Sequence, residues 1–308
     1  MIKKIYSTLM ESTYRKGLII GFVGVYIFSF DSVLIHASNG GGFQAAFWRG
    51  LFMGLSLLLL FLIRNWKKNP WKTFISGGAP MWMSGVAWTF TGLIFTLGIQ
   101  FGASTITLVM LSMGPLFTSL FSWLWIKEKP SPITLAACFA AVAGVMVMYL
   151  GSLSSVPTAG LILALILPVL IGFNMTNLRK NPETDRLPIC MIGGFGSALV
   201  SMVFCLAKGS FVSPQMSILP LALLGLVVLP IGQIMVSSSS IYLSATQSAL
   251  INSLESIWGI VHFMVIWHEV PDGNTMIGAA IVMVSIIANA VLVPLYAKFR
   301  AKRGSKAN

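Results

Sequence analysis

Residues 105–148, TITLVMLSMGPLFTSLFSWLWIKEKPSPITLAACFAAVAGVMVM, superpose on residues 246–289, TQSALINSLESIWGIVHFMVIWHEVPDGNTMIGAAIVMVSIIAN, at an offset of 141 positions. The offset sets Glu128 on Glu269, Pro130 on Pro271 and Ser112 on Ser253, and both copies read apolar run, acid, proline, apolar run. A duplication of this kind points to two like halves. The two loops differ in charge, because IKEKPSP carries lysines on both sides of its acid and WHEVPDG carries none. Lys and Arg gather on the cytoplasmic face of a membrane protein, so the loops belong on opposite faces and the second half is inverted relative to the first.

Composition supports the membrane. Across 308 residues 56% are hydrophobic and 9% charged, and mean hydropathy is +0.87. A soluble domain carries about 25% charged residues, so the main solvent of this chain is lipid. Apolar runs long enough to span a bilayer as helices fall near 17–37, 43–63, 74–98, 104–126, 132–151, 158–178, 187–207, 217–240, 244–267 and 275–296. No repeated period-two alternation suggests a barrel, and lipid admits only helices or closed barrels. The expected fold is an all-α polytopic membrane protein of about ten transmembrane helices in two inverted five-helix repeats. These occupy 17–151 and 157–296, between a cytoplasmic segment 1–16 and a basic tail 297–308. Segment 1–16 is basic like the start of a signal peptide, but the apolar run after it is too long and lacks an A-x-A site, so it reads as retained.

Net charge is +12. With the N-terminus cytoplasmic, 18 of the 20 Lys and Arg fall in the N-terminal segment, the inside loops and the tail, leaving Lys208 outside and Arg49 within a helix. The surplus is a topology signal; nucleic acid binding needs a basic face interleaved with reading side chains, and none is present. Cys138, Cys190 and Cys205 stand singly inside expected helices and read as small packing residues rather than metal or redox groups.

Several of these residues resemble the EamA-type drug/metabolite transporters. That family's repeat has a run ending in proline, about a dozen apolar residues, an acid at the helix end and a glycine-containing last helix, as in Gly114-Pro115 to Glu128 and then Gly144. The second copy reads Glu255-Ser256 to Glu269 where members often have Glu-Pro, so Ser256 departs from the pattern. Arg49 in FWRGLFMGL also looks like a family position. The resemblance spans about 17–296 and implies ten helices, cytoplasmic termini and alternating access around a central cavity in a bacterial membrane.

The few intramembrane charges are the candidate site residues. Asp31 and Arg49 each sit about six residues, roughly 9 Å, below the outer surface on antiparallel neighbours. Two readings follow, an ion pair that holds the bundle together or groups that face the substrate path. His36 lies nearer the surface and reads as interfacial, while Gly40-Gly41-Gly42 reads as the tight outer turn. Glu255 lies about 16 Å into its helix, near the midplane. Glu255, Trp258, Gly259 and His262 follow i, i+3, i+4, i+7 and share one face. That stripe is either where a transporter binds its load and couples it to protons, or a structural hydrogen-bonding element with Ser237 to Ser240 or Asn252. Pro115, Pro168 and Pro230 fall within spans and can kink them. Trp66, Trp123 and Trp125 read as interfacial belt, whereas Trp88 lies deeper and is a cavity candidate.

A membrane-embedded enzyme needs clustered acids or histidines, and a channel needs charge rings or a carbonyl filter; neither pattern occurs. No G-x-x-x-x-G-K-[ST] is present, so transport is facilitated or driven by a proton gradient. The expectation is a secondary transporter, an exporter of a small organic metabolite such as an amino acid, a related amphiphile or an organic cation, with no cofactor and with the lipid bilayer as its surroundings. Arg49, Asp31 and Glu255 suit the carboxylate and amine of a zwitterion, and the Trp, Phe and Met content suits apolar bodies or organic cations.

Overall fold

The computed structural model describes residues 2–67, 69–100, 107, 111, 113–148, 158–267 and 273–304. The loop acid Glu269 with Pro271, the aligned Ser112, most of the first part of the 104–126 span and the junction between the expected repeats lie outside the described residues.

Among the described residues every regular element is helical. Ten helical paths follow one another: α1 (Ile2–Phe28 continued by Phe30–Ala37), α2 (Gly42–Arg64), α3 (Gly78–Gln100), α4 (Gly114–Ile126), α5 (Pro132–Met148), α6 (Thr158–Lys180), α7 (Arg186–Lys208), α8 (Ile218–Leu223, a π turn Leu224–Val228, then Leu229–Tyr242), α9 (Ala245–Asn252 continued by Leu254–Trp267) and α10 (Gly273–Gly304). Among the described residues seven of them contain stretches long and apolar enough to cross a membrane, and α5 holds a shorter apolar helix, Pro132–Gly144. α1 starts well before residue 17, so the basic N-terminal segment continues the first helix rather than preceding it.

The packing repeats with a shift of five helices. α2 packs on α7, α5 on α10 and α4 on α9, each on its own counterpart, while α1–α8, α2–α8 and α1–α9 are answered by α3–α6, α3–α7 and α4–α6. Five crossings per half turn the second half over, which makes the two repeats inverted. In lipid no hydrophobic force draws helices together, so close backbone approach at small residues does this instead. A Cβ on Gly50 of α2 would stand 2.6 Å from the Gly194 carbonyl of α7, and one on Gly144 of α5 would stand 2.8 Å from the Gly278 carbonyl of α10. Pro230 in α8 removes an N–H and frees the Leu226 carbonyl, which accepts from Ser56 Oγ of α2 at 2.9 Å.

The two ends of the bundle are closed differently. At one end Arg64 of α2 pairs with Asp185 before α7, Arg179 of α6 reaches Glu128 after α4 at 3.4 Å, and Arg179 also donates to the last carbonyls of α8. Arg186, one of the basic residues counted to an inside loop, is buried and donates to the carbonyls of Leu178, Asn181 and Thr184, capping α6. The other end is held by neutral bonds: Gln100 donates to the Ile35 carbonyl at 2.8 Å, Trp48 to that of Phe211 at 2.9 Å, and the Ser217 N–H to that of Ser38 at 2.8 Å. There the left-handed turn residue is Asn39 (φ 47°), not one of the three glycines that follow it. Asparagine tolerates this conformation through local hydrogen bonding, so the run of glycines is not where the turn is made.

Candidate functional site

α1 and α9 are both interrupted within their length, and at each interruption stands a serine. The Ser29 hydroxyl donates back to Tyr26 at 2.7 Å and the Ser253 hydroxyl to Ala249 at 3.2 Å. Such back-bonding competes with the helix ladder and bends it. Two residues on, in the first turn of the resumed helix, comes an acid: Asp31 in α1, Glu255 in α9. A helix N-terminus favours negative charge, so both breaks place carboxylates where the backbone supports them. In the first repeat α4 starts at Gly114 after a turn at Met113. Gly114 is the residue that the 141-position offset aligns with Glu255, so the first repeat has no acid at that position.

The two carboxylates converge on one cavity with Arg49 and Trp88; Gln233, Asn252, Phe28, Phe95 and Ile171 also line it. Asp31 is fully buried and held by Arg49 at both oxygens, with Nε donating to Oδ1 at 2.9 Å and Nη2 to Oδ2. Arg49 Nη1 lies 3.0 Å from where a Cβ on Gly92 would be, so a side chain there would crowd the guanidinium and push it by a few tenths of an ångström. Glu255 is equally buried and feels the charges of both Asp31 and Arg49, but its Oε2 has no hydrogen-bond partner. Trp88 Nε1 and Asn252 Oδ1, on the same cavity, also have none. A buried carboxylate oxygen, an amide oxygen and an indole N–H left unpaired are costly unless something enters to meet them. The cavity measures about 30 Å³, where a water needs about 10–15 Å³. It therefore accommodates about two waters and is smaller than an organic molecule needs.

The stripe Glu255, Trp258, Gly259 and His262 divides in the structure. Glu255 turns into the cavity, while Trp258 and His262 pack on α1. Trp258 meets Tyr26 edge-on at 5.0 Å, and His262 stacks on Phe30 at 3.8 Å with Nδ1 3.4 Å from Ser29 Oγ. A Cβ at Gly259 would stand 3.2 Å from Ser32 Oγ, so α9 lies close to α1 here. Of the six site candidates, Asp31, Arg49, Trp88 and Glu255 are brought together at the cavity; Trp258 and His262 brace the break in α1 behind it. Sequence reasoning missed Gln233 and Gly92. Gln233 had a usable signal, a lone amide in an apolar span three residues after a proline. Gly92 had none, since its role depends on the guanidinium of another helix. Trp82 and Trp123 are about half exposed and Trp66 is more so, His36 is exposed, and the three cysteines are buried and free. Among the described residues no group of His, Cys, Asp and Glu can hold a metal ion.

Residues 15–150 and 158–291 each match the model of the EamA-like transporter family. A solved structure titled only as a crystal structure of a protein superposes with a TM-score of 0.74 over 90% of this chain and 98% of its own, at 17% identity. At that identity the likeness concerns the fold. No curated protein matches the chain.

Proposed function

The chain belongs to the EamA-like transporter family, matched over both repeats, and on that premise we propose that it exports a small zwitterionic or cationic organic metabolite by alternating access, with Glu255 as the group that couples export to protons. The observation that carries this reading is the unequal supply of partners around the cavity. Arg49, the cation of the described lining, is committed to Asp31, so Glu255 is left as a buried carboxylate with an open oxygen beside an unpaired indole N–H. A carboxylate so placed accepts either a proton or the amine of a substrate, not both, and that exclusion couples two fluxes. The aromatic and apolar wall of Phe28, Phe95 and Trp88 suits the body of an amphiphile or organic cation.

The orientation that goes with it puts both termini and the charged end of the bundle in the cytoplasm of a bacterial cell, by the positive-inside rule. Single cysteines at Ser131, after α4, and Ser213, in the loop between α7 and α8, then label from opposite faces of intact membranes. Coupling is tested with Glu255→Gln in proteoliposomes. The substitution keeps shape and neutral hydrogen bonding but cannot cycle charge, so the variant should fold and exchange labelled metabolite passively while losing accumulation driven by a pH gradient. Wild-type accumulation in Glu255→Gln would end the coupling role.

A further inference from the structure

The polar face of α9 does not stop at the cavity. Toward the charged end of the bundle Asn252, which lines the cavity with Glu255, is followed at i−4 by Ser248 on the same face of Ala245–Asn252. Ser248 is 1% exposed and its hydroxyl has no hydrogen-bond partner, nor has Asn252 Oδ1. On α6, which packs against α9, Asn174 lies one turn beyond the cavity residue Ile171 in the same direction. It is 1% exposed, and neither its Nδ2 nor its Oδ1 has a partner. Some other serines and threonines of the bundle behave otherwise. Ser239, Ser240, Ser253, Thr91 and Thr118 each donate to a carbonyl of the preceding turn. Ser197, Ser201 and Ser237 are also buried with unpartnered hydroxyls, so what sets Ser248 apart is its succession with Asn252 and Asn174 toward one end of the bundle.

A primary amide with donor and acceptor both unmet, as in Asn174, is expensive in a dry interior, and the unmet Asn252 Oδ1 and Ser248 hydroxyl add to the cost. The usual resolution is water, which needs a polar site with two to four partners. From Glu255 to Ser248 the rise is about 10 Å, and the first turn of α9 begins about 5 Å further on. At that level Arg179 of α6 reaches across to Glu128 and to the Ser240 and Ile241 carbonyls ending α8.

We propose that Asn252, Ser248 and Asn174 form an aqueous route from the charged end of the bundle to Glu255, with Arg179 closing its mouth. The route rests on the reading of Glu255 as the coupling group, because a carboxylate that exchanges protons with one face needs water leading to that face. On the opposite side Asp31 and Arg49 fill the position with a closed pair, so the file has one direction.

The test measures access rather than transport. In full-length protein carrying Cys138→Ala, Cys190→Ala and Cys205→Ala, single Ser248→Cys and Asn174→Cys variants are treated with a membrane-impermeant methanethiosulfonate bearing a trimethylammonium head, in right-side-out and in everted vesicles. The comparison variants Leu250→Cys and Met175→Cys sit on the same helices, fully buried and off the file. Both test positions should react from the charged face more than about tenfold faster than the comparison positions, as for a site opened by local motion rather than by unfolding. Adding Arg179→Gln should speed Ser248→Cys further. Reaction at the comparison rate, or equally from both faces, overturns the route. Ser248→Cys is nearly isosteric and decides the matter if Asn174→Cys does not fold. If Ser248→Cys labels and Glu255→Gln still accumulates substrate, the route stands and the coupling role falls. If labelling stays at the comparison rate while Glu255→Gln loses accumulation, the reverse holds.

Discussion

Asp31 and Glu255 occupy the same local structure: a helix broken at a serine, an acid two residues later, nearly complete burial and one shared cavity. They differ in what the neighbouring helices supply. α2 brings Arg49 to both oxygens of Asp31, whereas nothing among the described residues meets Glu255 Oε2. Local structure thus explains why a carboxylate is tolerated at each break, and tertiary partners decide which is locked and which is left available. A pair of charges in lipid is stable only as a pair, which favours the reading of Asp31 as part of the architecture. A lone carboxylate is an unmet demand that a proton or a ligand can satisfy.

The contrast is open to direct attack. Its largest expected consequence is in stability: Asp31→Asn or Arg49→Gln should each lower it by about 3–5 kcal/mol, since each strands a buried charge, and the double variant should recover most of the loss. Unfolding of purified protein in detergent gives these values, and a comparable loss in Glu255→Gln would erase the distinction between the two acids. Gly92→Ala disturbs the paired side alone, because its Cβ would lie 3.0 Å from Arg49 Nη1. A cost of about 1–3 kcal/mol is expected from the crowding, read in the same melts. Trp88→Phe probes the unpaired side: the ring remains, the orphaned N–H goes, and stability should hold while the concentration of metabolite needed for half-maximal transport rises about tenfold. The smallest effect is expected at His262→Phe, which keeps the stack on Phe30 and gives up the contact with Ser29. Stability should move by no more than about 1.5 kcal/mol with transport retained. Loss of transport in a well-folded His262→Phe would instead bring His262 into the path.

Much of this was legible in the chain. The two-copy pattern, the ten apolar runs and the depth of Asp31, Arg49, Trp88 and Glu255 follow from spacing, because rise per residue and bilayer thickness turn position into depth. The direction in which a side chain points follows less well. Helical spacing groups Glu255 with Trp258 and His262, yet an angle shared on one helix spreads over about 60°, enough to fall between two neighbours. In the bundle the acid meets the cavity and the two aromatic groups meet α1. The outer turn likewise looks like a glycine turn in one dimension, and the left-handed residue is Asn39.

The sequence by itself determined the class of fold, the duplication, the inversion and the small set of residues able to carry charge inside the membrane. Each of these depends on periodicity, length or charge counted along one chain. Only the tertiary structure decided that Arg49 is spent on Asp31, that Gly92 makes room for it, that Arg179 and Arg186 tie down the ends of helices, and that Glu255, Asn252, Ser248 and Asn174 keep unpaired polar atoms in the interior. A hydrogen bond requires atoms within about 3 Å, and residues on separate helices reach that distance only through packing of the whole bundle, which no local pattern encodes.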